Sequence, residues 1–178
     1  MVIFLNPGHA PNGVPDPGAV NKDLGVIECD VALDVSKKIA FYLRRVGLPV
    51  VMVQSDSLRE IVDEANIYGD SLFVSVHCNA ANGQARGTET FVSPHASHTS
   101  VTLADKIQDQ IVNSLGTINR GVKYENYYVL RYTDAPAVLV ELEFIDNDEG
   151  CQLMLDKADE FARAIARGVT DCLMEVGR

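Results

Sequence analysis

The sequence predicts an α/β fold, a single domain in which helices cover both faces of a sheet. Three observations predict it. Six short runs are rich in β-branched and aromatic residues, longer stretches with apolar residues at helical spacing separate most of them, and the 178 residues contain no internal repeat, low-complexity tract or linker. A chain of this size buries a core of its own without disulfide or metal support, so residues 1–178 are expected to form one domain.

Taken along the chain, the strands are expected at Val2–Asn6, Pro49–Gln54, Leu72–His77, Thr88–Val92, Tyr127–Leu130 and Ala137–Leu142. The first long helix is expected over Glu28–Val46, where Ala32, Val35, Ile39, Leu43 and Val46 form one stripe and Gly47 followed by Pro49 stops it. Further helices are expected at about Ser57–Tyr68, Thr99–Leu115 and Lys157–Val176, the last with Phe161, Ile165, Gly168, Cys172 and Val176 in register. In such sheets ligands collect where loops leave the carboxyl ends of the strands, and functional residues are sought there.

Composition narrows the partners. A formal net charge of −10 lacks the clustered Lys and Arg that phosphate neutralisation needs, which argues against nucleic acid, and it disfavours anionic membrane as well. No apolar run approaches the roughly 18 residues of a membrane helix. The apolar start Val2-Ile3-Phe4-Leu5 is shorter than a signal peptide's core, so no export signal is expected in this chain. Cys29, Cys78, Cys151 and Cys172 show no CxxC spacing and are expected to be free, mostly buried thiols, which fits production in a reducing compartment.

Four residues stand at strand ends or on a buried stripe with chemistry that does not suit a plain core. His9 leaves the first strand through a Pro7-Gly8 turn, and His77 closes the buried run Leu72–Val76. Extending the apolar stripe of the first helix back one turn from Ala32 reaches Glu28, a carboxylate that must then be paired, protonated, capping or bound to metal. Glu141 ends the apolar run Ala137–Val140, where it could act as a general base beside a metal-bound water. Each also has an ordinary alternative: a solvated loop histidine, a satisfied core histidine, an acid complementing the helix dipole, a solvated strand end. Two histidines and a glutamate have the chemistry of a three-ligand zinc site with one open position, but no compact HExxH-type spacing singles them out.

The blocks LNPGHAPNGVPDPGAVNKDLGVIE, LFVSVHCNAANGQARGTETFV, RGVKYENYYVLRYTDAPAVLVELEFIDN and FARAIARGV, in this order over nearly the whole chain, resemble the zinc-dependent, AmiC-like (type 3) N-acetylmuramoyl-L-alanine amidase family. The resemblance implies a mixed, mainly parallel sheet of about six strands flanked by helices. It implies one Zn²⁺ held by His9, Glu28 and His77, with Glu141 as catalytic residue, and hydrolysis of the bond between the N-acetylmuramoyl lactyl group and L-alanine in peptidoglycan. The site of action would then be the cell wall or periplasm. Two rivals remain open, a zinc peptidase acting within the stem peptide and a non-catalytic peptidoglycan-binding module. Host autolysin, sporulation enzyme and phage lysin are all compatible, with a lean toward a lysin or an excised catalytic domain. Because the chain is acidic, retention on an anionic wall is expected to need a separate binding module or protein.

The sequence departs from the family pattern at Asn6, where Asp is common, at Ala10, where Gly is common, and at Glu143, where Gly is common. Asn6 is a neutral candidate for orienting His9 by hydrogen bond. Glu143 is expected to turn into solvent, because Asp146-Asn147-Asp148 reads as loop. If the strand ran on, it would lie on the side of Glu141. Asn79 and Arg131 are weaker substrate-binding candidates, and His95 and His98 are expected on an exposed loop. Cys29 and Cys78 are expected to pack rather than to bind metal.

Overall fold

The computed structural model describes residues 1–177. Its main sheet has six strands: β1 (Val2–Pro7), β4 (Val50–Met52), β5 (Ser71–Asn79), β6 (Thr88–Val92), β7 (Asn119–Tyr124) and β8 (Ala137–Phe144). They stand in the order β4-β1-β5-β8-β6-β7. The first four are mutually parallel, whereas β6 runs antiparallel to β8 and carries β7 parallel to itself. A two-stranded ribbon, β2 (Val20–Asn21) with β3 (Val26–Ile27), leads into the first helix. The helices are α1 (Glu28–Arg45), α2 (Leu58–Ala65), α3 (His98–Leu115), α4 (Tyr128–Tyr132), α5 (Asp148–Asp156) and α6 (Ala158–Glu175). The expected class, a mixed and mainly parallel sheet flanked by helices, is the observed one.

Strand alternation divides the apolar residues between two layers. Ile3, Leu5, Leu72, Val74, Val76, Val138, Val140 and Leu142 point to the face covered by α1, α3 and α6. Phe4, Phe73, Ala137 and Leu139 point to the other face, where they meet Ile61, Val62 and Ala65 of α2 and Val129 and Leu130 of α4. Phe4 and Phe73 stack there with centroids 5.6 Å apart. The second face is thinly covered, by one helix of eight residues and one of five. Toward the carboxyl ends its inward positions turn polar, and His77 and Glu141 become direct register partners on adjacent strands.

The departures from expectation have physical causes. Tyr127–Leu130 is not a strand. Its β-prone residues form the start of a five-residue helix, because burying Val129 and Leu130 side by side against the second face decides the local conformation over propensity. The strand Asn119–Tyr124, absent from the expectation, is a polar edge strand with little buried surface, and Arg120 and Lys123 give it no apolar alternation to read. Helix α5 begins just where a loop is expected, with Asn147 accepting a hydrogen bond from Gly150 N as its cap.

Glu143 corrects a further expectation. β8 continues through Phe144, and Glu143 is fully buried rather than solvated. Between the pairs His77–Glu141 and Asn79–Phe144 the register shifts, β8 holding one more residue than β5. Such a bulge resets the alternation. Glu143 Oε2 accepts hydrogen bonds from Gly87 N (2.7 Å) and Phe144 N (2.9 Å), and Oε1 faces Arg86 Nε at 3.7 Å. All four cysteines are buried and none is in a disulfide, and Cys78 lies in the first core layer. His95 and His98 are exposed, His98 as the first residue of α3.

Candidate functional site

At the carboxyl ends of β1, β5 and β8 a cavity of about 530 Å³ opens between the loop after β1, the start of α1, and the helices α2 and α4. His9, Glu28 and His77 meet in it, each offering one donor atom, all within 4.8 Å of one another. Glu28, the first residue of α1, is 3% exposed. Its Oε2 stands 3.0 Å from His9 Nε2 and its Oε1 3.0 Å from His77 Nδ1. Two backbone groups add to the grip, Ala19 N donating to Oε2 (2.8 Å) and Cys78 N to Oε1 (2.9 Å). The carboxylate expected to point inward from the apolar stripe therefore does so, into a cradle of donors.

Small residues make this convergence possible. His9 itself adopts a left-handed backbone (φ 64°), a conformation that ordinary side chains rarely take. Gly8 lies against the His77 ring, where a Cβ would come within 2.4 Å of Cε1. Gly18, at φ +73°, would place a Cβ 2.5 Å from His9 Cδ2 and 2.6 Å from Glu28 Oε2. Any side chain at either position would collide with the ring or carboxylate it abuts.

The second nitrogen of His9 is held by a residue the sequence reading did not single out. Asp16 Oδ2 lies 2.7 Å from His9 Nδ1, and Gly18 N donates to Asp16 Oδ1. A carboxylate on the far nitrogen fixes the ring's orientation and tautomer and makes the facing nitrogen a better donor to a metal. Asn6, the expected candidate, is turned elsewhere. Its Nδ2 donates to the carbonyls of Pro7 and Val53, and its Oδ1 accepts from Ser75.

Burial opposes charge on His9, but hydrogen bonds to Glu28 and Asp16 outweigh it and lift its pKa to about 9. Burial also disfavours a charged Glu28, yet hydrogen bonds from His77 and His9 hold its carboxyl well below the usual range. Glu141 shows the opposite balance. Half-buried beside His77, with its Oε2 shielded from water and without a hydrogen-bond partner, it is pushed by burial up to about 7. An orphaned carboxylate thus stands next to a cluster of two imidazole nitrogens and a carboxylate oxygen that could hold a metal ion. The three donors are the nitrogen and oxygen set that zinc takes in a three-ligand site with an open position.

Asn79 lines the same cavity and is locked in place, its Nδ2 donating to Glu89 and its Oδ1 accepting from Ala80 N. Glu89 is 4% exposed and neutralised by Arg120 and Lys123. Arg131 does not line this cavity. It lies over the Tyr132 ring beside a separate one of about 270 Å³ shared with His95 and Ser97. The rest of the main cavity is an apolar wall of Leu58, Ile61, Tyr127, Tyr128, Val129 and Leu139, with Asp56 among the lining residues.

The chain is similar to several known proteins. YqiI of Bacillus subtilis (strain 168) is 40% identical over 150 residues, covering 82% of this chain and 70% of YqiI. The N-acetylmuramoyl-L-alanine amidase LytC of the same organism is 36% identical over 174 residues, covering 93% of this chain but only 34% of LytC. The chain thus spans about a third of LytC's length. The crystal structure of N-acetylmuramoyl-L-alanine amidase from Clostridium difficile 630 matches with a TM-score of 0.88 at 30% identity, covering 97% of this chain and 96% of that one. A family model described as N-acetylmuramoyl-L-alanine amidase matches residues 3–171. With nearly the whole chain inside that match, the protein belongs to the N-acetylmuramoyl-L-alanine amidase family.

Proposed function

We propose that this chain, as one catalytic domain, hydrolyses the amide between the N-acetylmuramoyl lactyl group and L-alanine of peptidoglycan, using one zinc ion held by His9, Glu28 and His77. The observation that carries the reading is the meeting of these three donors beside the unpartnered carboxylate of Glu141. A bound zinc ion would supply Lewis acidity, lowering the pKa of water and stabilising the oxyanion that develops on the carbonyl.

The protein's own groups do the rest. Glu141 accepts the proton of the attacking water and returns it to the departing alanine nitrogen, so no covalent intermediate is needed. Asp16 engages His9 Nδ1 and leaves Nε2 turned toward Glu28, free to ligate a metal held there. Asn79, anchored through Glu89, offers a fixed polar contact at one side of the cavity, and Leu58, Tyr127 and Tyr128 line the other with apolar and aromatic surface. With a net charge of −10, the chain gains little from an anionic wall, and a separate wall-binding module or protein would supply retention.

Digestion of purified peptidoglycan, followed by mass spectrometry, tests the reading. The expected products are peptides with new L-alanine amino termini and glycan without new reducing ends. New termini within the stem peptide would identify a peptidase instead, and tight zinc-dependent binding without turnover a binding module.

A further inference from the structure

The cavity around the proposed metal ligands is lined by four carboxylates, Asp16, Glu28, Asp56 and Glu141, and by no Lys or Arg. Basic residues of neighbouring elements are turned elsewhere, Arg120 and Lys123 to Glu89 and Arg131 to a different cavity. Asp16 and Glu28 are engaged with the histidines, and Glu141 is the proposed base. Asp56 differs. It is exposed on the turn before α2 and has no hydrogen-bond or ion-pair partner among the described residues. The four carboxylates outnumber the two positive charges of one zinc ion, so the cavity keeps a negative potential with metal bound. Its apolar wall of Leu58, Ile61, Tyr127 and Tyr128 concentrates that field, as a low-dielectric boundary does.

The proposed substrate carries carboxylates too. Its second peptide residue is a D-glutamate joined onward through the γ-carboxyl, which leaves an α-carboxyl that is either free or amidated in bacterial walls. One alanine separates it from the scissile bond, so it stands roughly 7 Å from the bond being cut. That is within the screening length of about 8 Å at physiological ionic strength. A free carboxylate there meets the field of the cavity, and a carboxamide does not.

We infer that this site selects stem peptides bearing a carboxamide rather than a free carboxylate on the second residue, with Asp56 as the specificity-determining group. The inference rests on the lactyl–alanine reading of the scissile bond. Asp56 acts by repulsion, a discrimination against the wrong substrate rather than an added contact to the right one.

The test uses two soluble muropeptides that differ only in that amide, with the zinc-replete protein. The expected kcat/KM ratio favours the amidated peptide by roughly three- to tenfold at low salt, the scale of one screened like-charge contact about 8 Å long. The ratio should shrink as salt rises, and Asp56→Asn should move it at least halfway toward one while zinc content stays the same. Equal kcat/KM values for the two peptides, or a ratio that Asp56→Asn leaves unchanged, would overturn the inference. Failure to cut either peptide at the lactyl–alanine bond, with zinc bound, would overturn the reading beneath it and the inference with it.

Discussion

Replacing Glu143 by alanine tests the buried clasp that joins the β5–β6 loop to β8. In the native protein the carboxylate is fully buried, receives Gly87 N and Phe144 N, and faces Arg86, whose side chain is 31% exposed. Removing it leaves the Gly87 N–H without an acceptor and Arg86 Nε, already shielded from water, without its counter-charge. Breaking a buried pair from one side costs about 3–5 kcal/mol. Arg86 keeps its second partner, Glu149, and part of its hydration, which sets the loss nearer 2–4 kcal/mol. For a domain of this length that corresponds to a fall in Tm of roughly 5–15 °C. Thermal melting followed by circular dichroism measures it. Because Glu143 does not line the cavity of the proposed metal ligands, kcat well below the melting range should stay within a few-fold of wild type. A shift under about 2 °C would refute the clasp, and loss of turnover with the fold and zinc retained would show that Glu143 shares the chemistry.

Three further outcomes are expected. Glu141→Gln should keep fold and zinc but lose about 10²- to 10⁴-fold in kcat, since an amide cannot take the water's proton. As the proposed base, Glu141 would be protonated and idle below its pKa, so the rate should fall as pH drops. The metal-free value of about 7 marks the upper bound of that limb, because a nearby cation favours the ionised carboxylate. Asp16→Asn should weaken zinc affinity by about 10- to 100-fold in a competition titration with a chromogenic chelator, and wild-type affinity would remove Asp16 from the site. Zinc binding at pH 7.5 should release a proton from His9, which with a pKa of about 9 is charged in the metal-free protein and must be neutral to ligate. Titration calorimetry in buffers of different ionisation enthalpy reads that proton, and binding without it would contradict the charge state.

The same raised pKa has a consequence for the metal-free fold. A folded value above the unfolded 6.5 makes the His9 contribution complete below pH 6.5 and lost as pH rises through 9. Glu28, held low, contributes above its unfolded value and loses that contribution as pH falls below it. The two windows overlap at mildly acidic pH.

Glu28, His77 and Glu141 were legible because each interrupts an apolar pattern with a group that burial penalises, and an interrupted pattern is visible in one dimension. Asp16 leaves no such mark. It sits in a loop of prolines and glycines, where a carboxylate is ordinary, and only the turn that brings it back to His9 gives it a role. The fold class followed from alternating strand and helix signals, yet the edge strand Asn119–Tyr124 and the helix Tyr128–Tyr132 did not. The first lacks apolar alternation because one side of it has no neighbour, and the second is set by tertiary packing on α2 and β8. Glu143 was misplaced because a single inserted residue in β8, invisible in the sequence, changes where every later side chain points.

The burial of all four thiols has a further bearing on the covalent chemistry of this chain. Oxidants and disulfides react with the thiolate, and burial pushes Cys29, Cys151 and above all Cys78 away from that form. With all four thiols buried, the fold presents no exposed thiolate to an oxidant or to a second molecule, so cross-linking would first require the core to open.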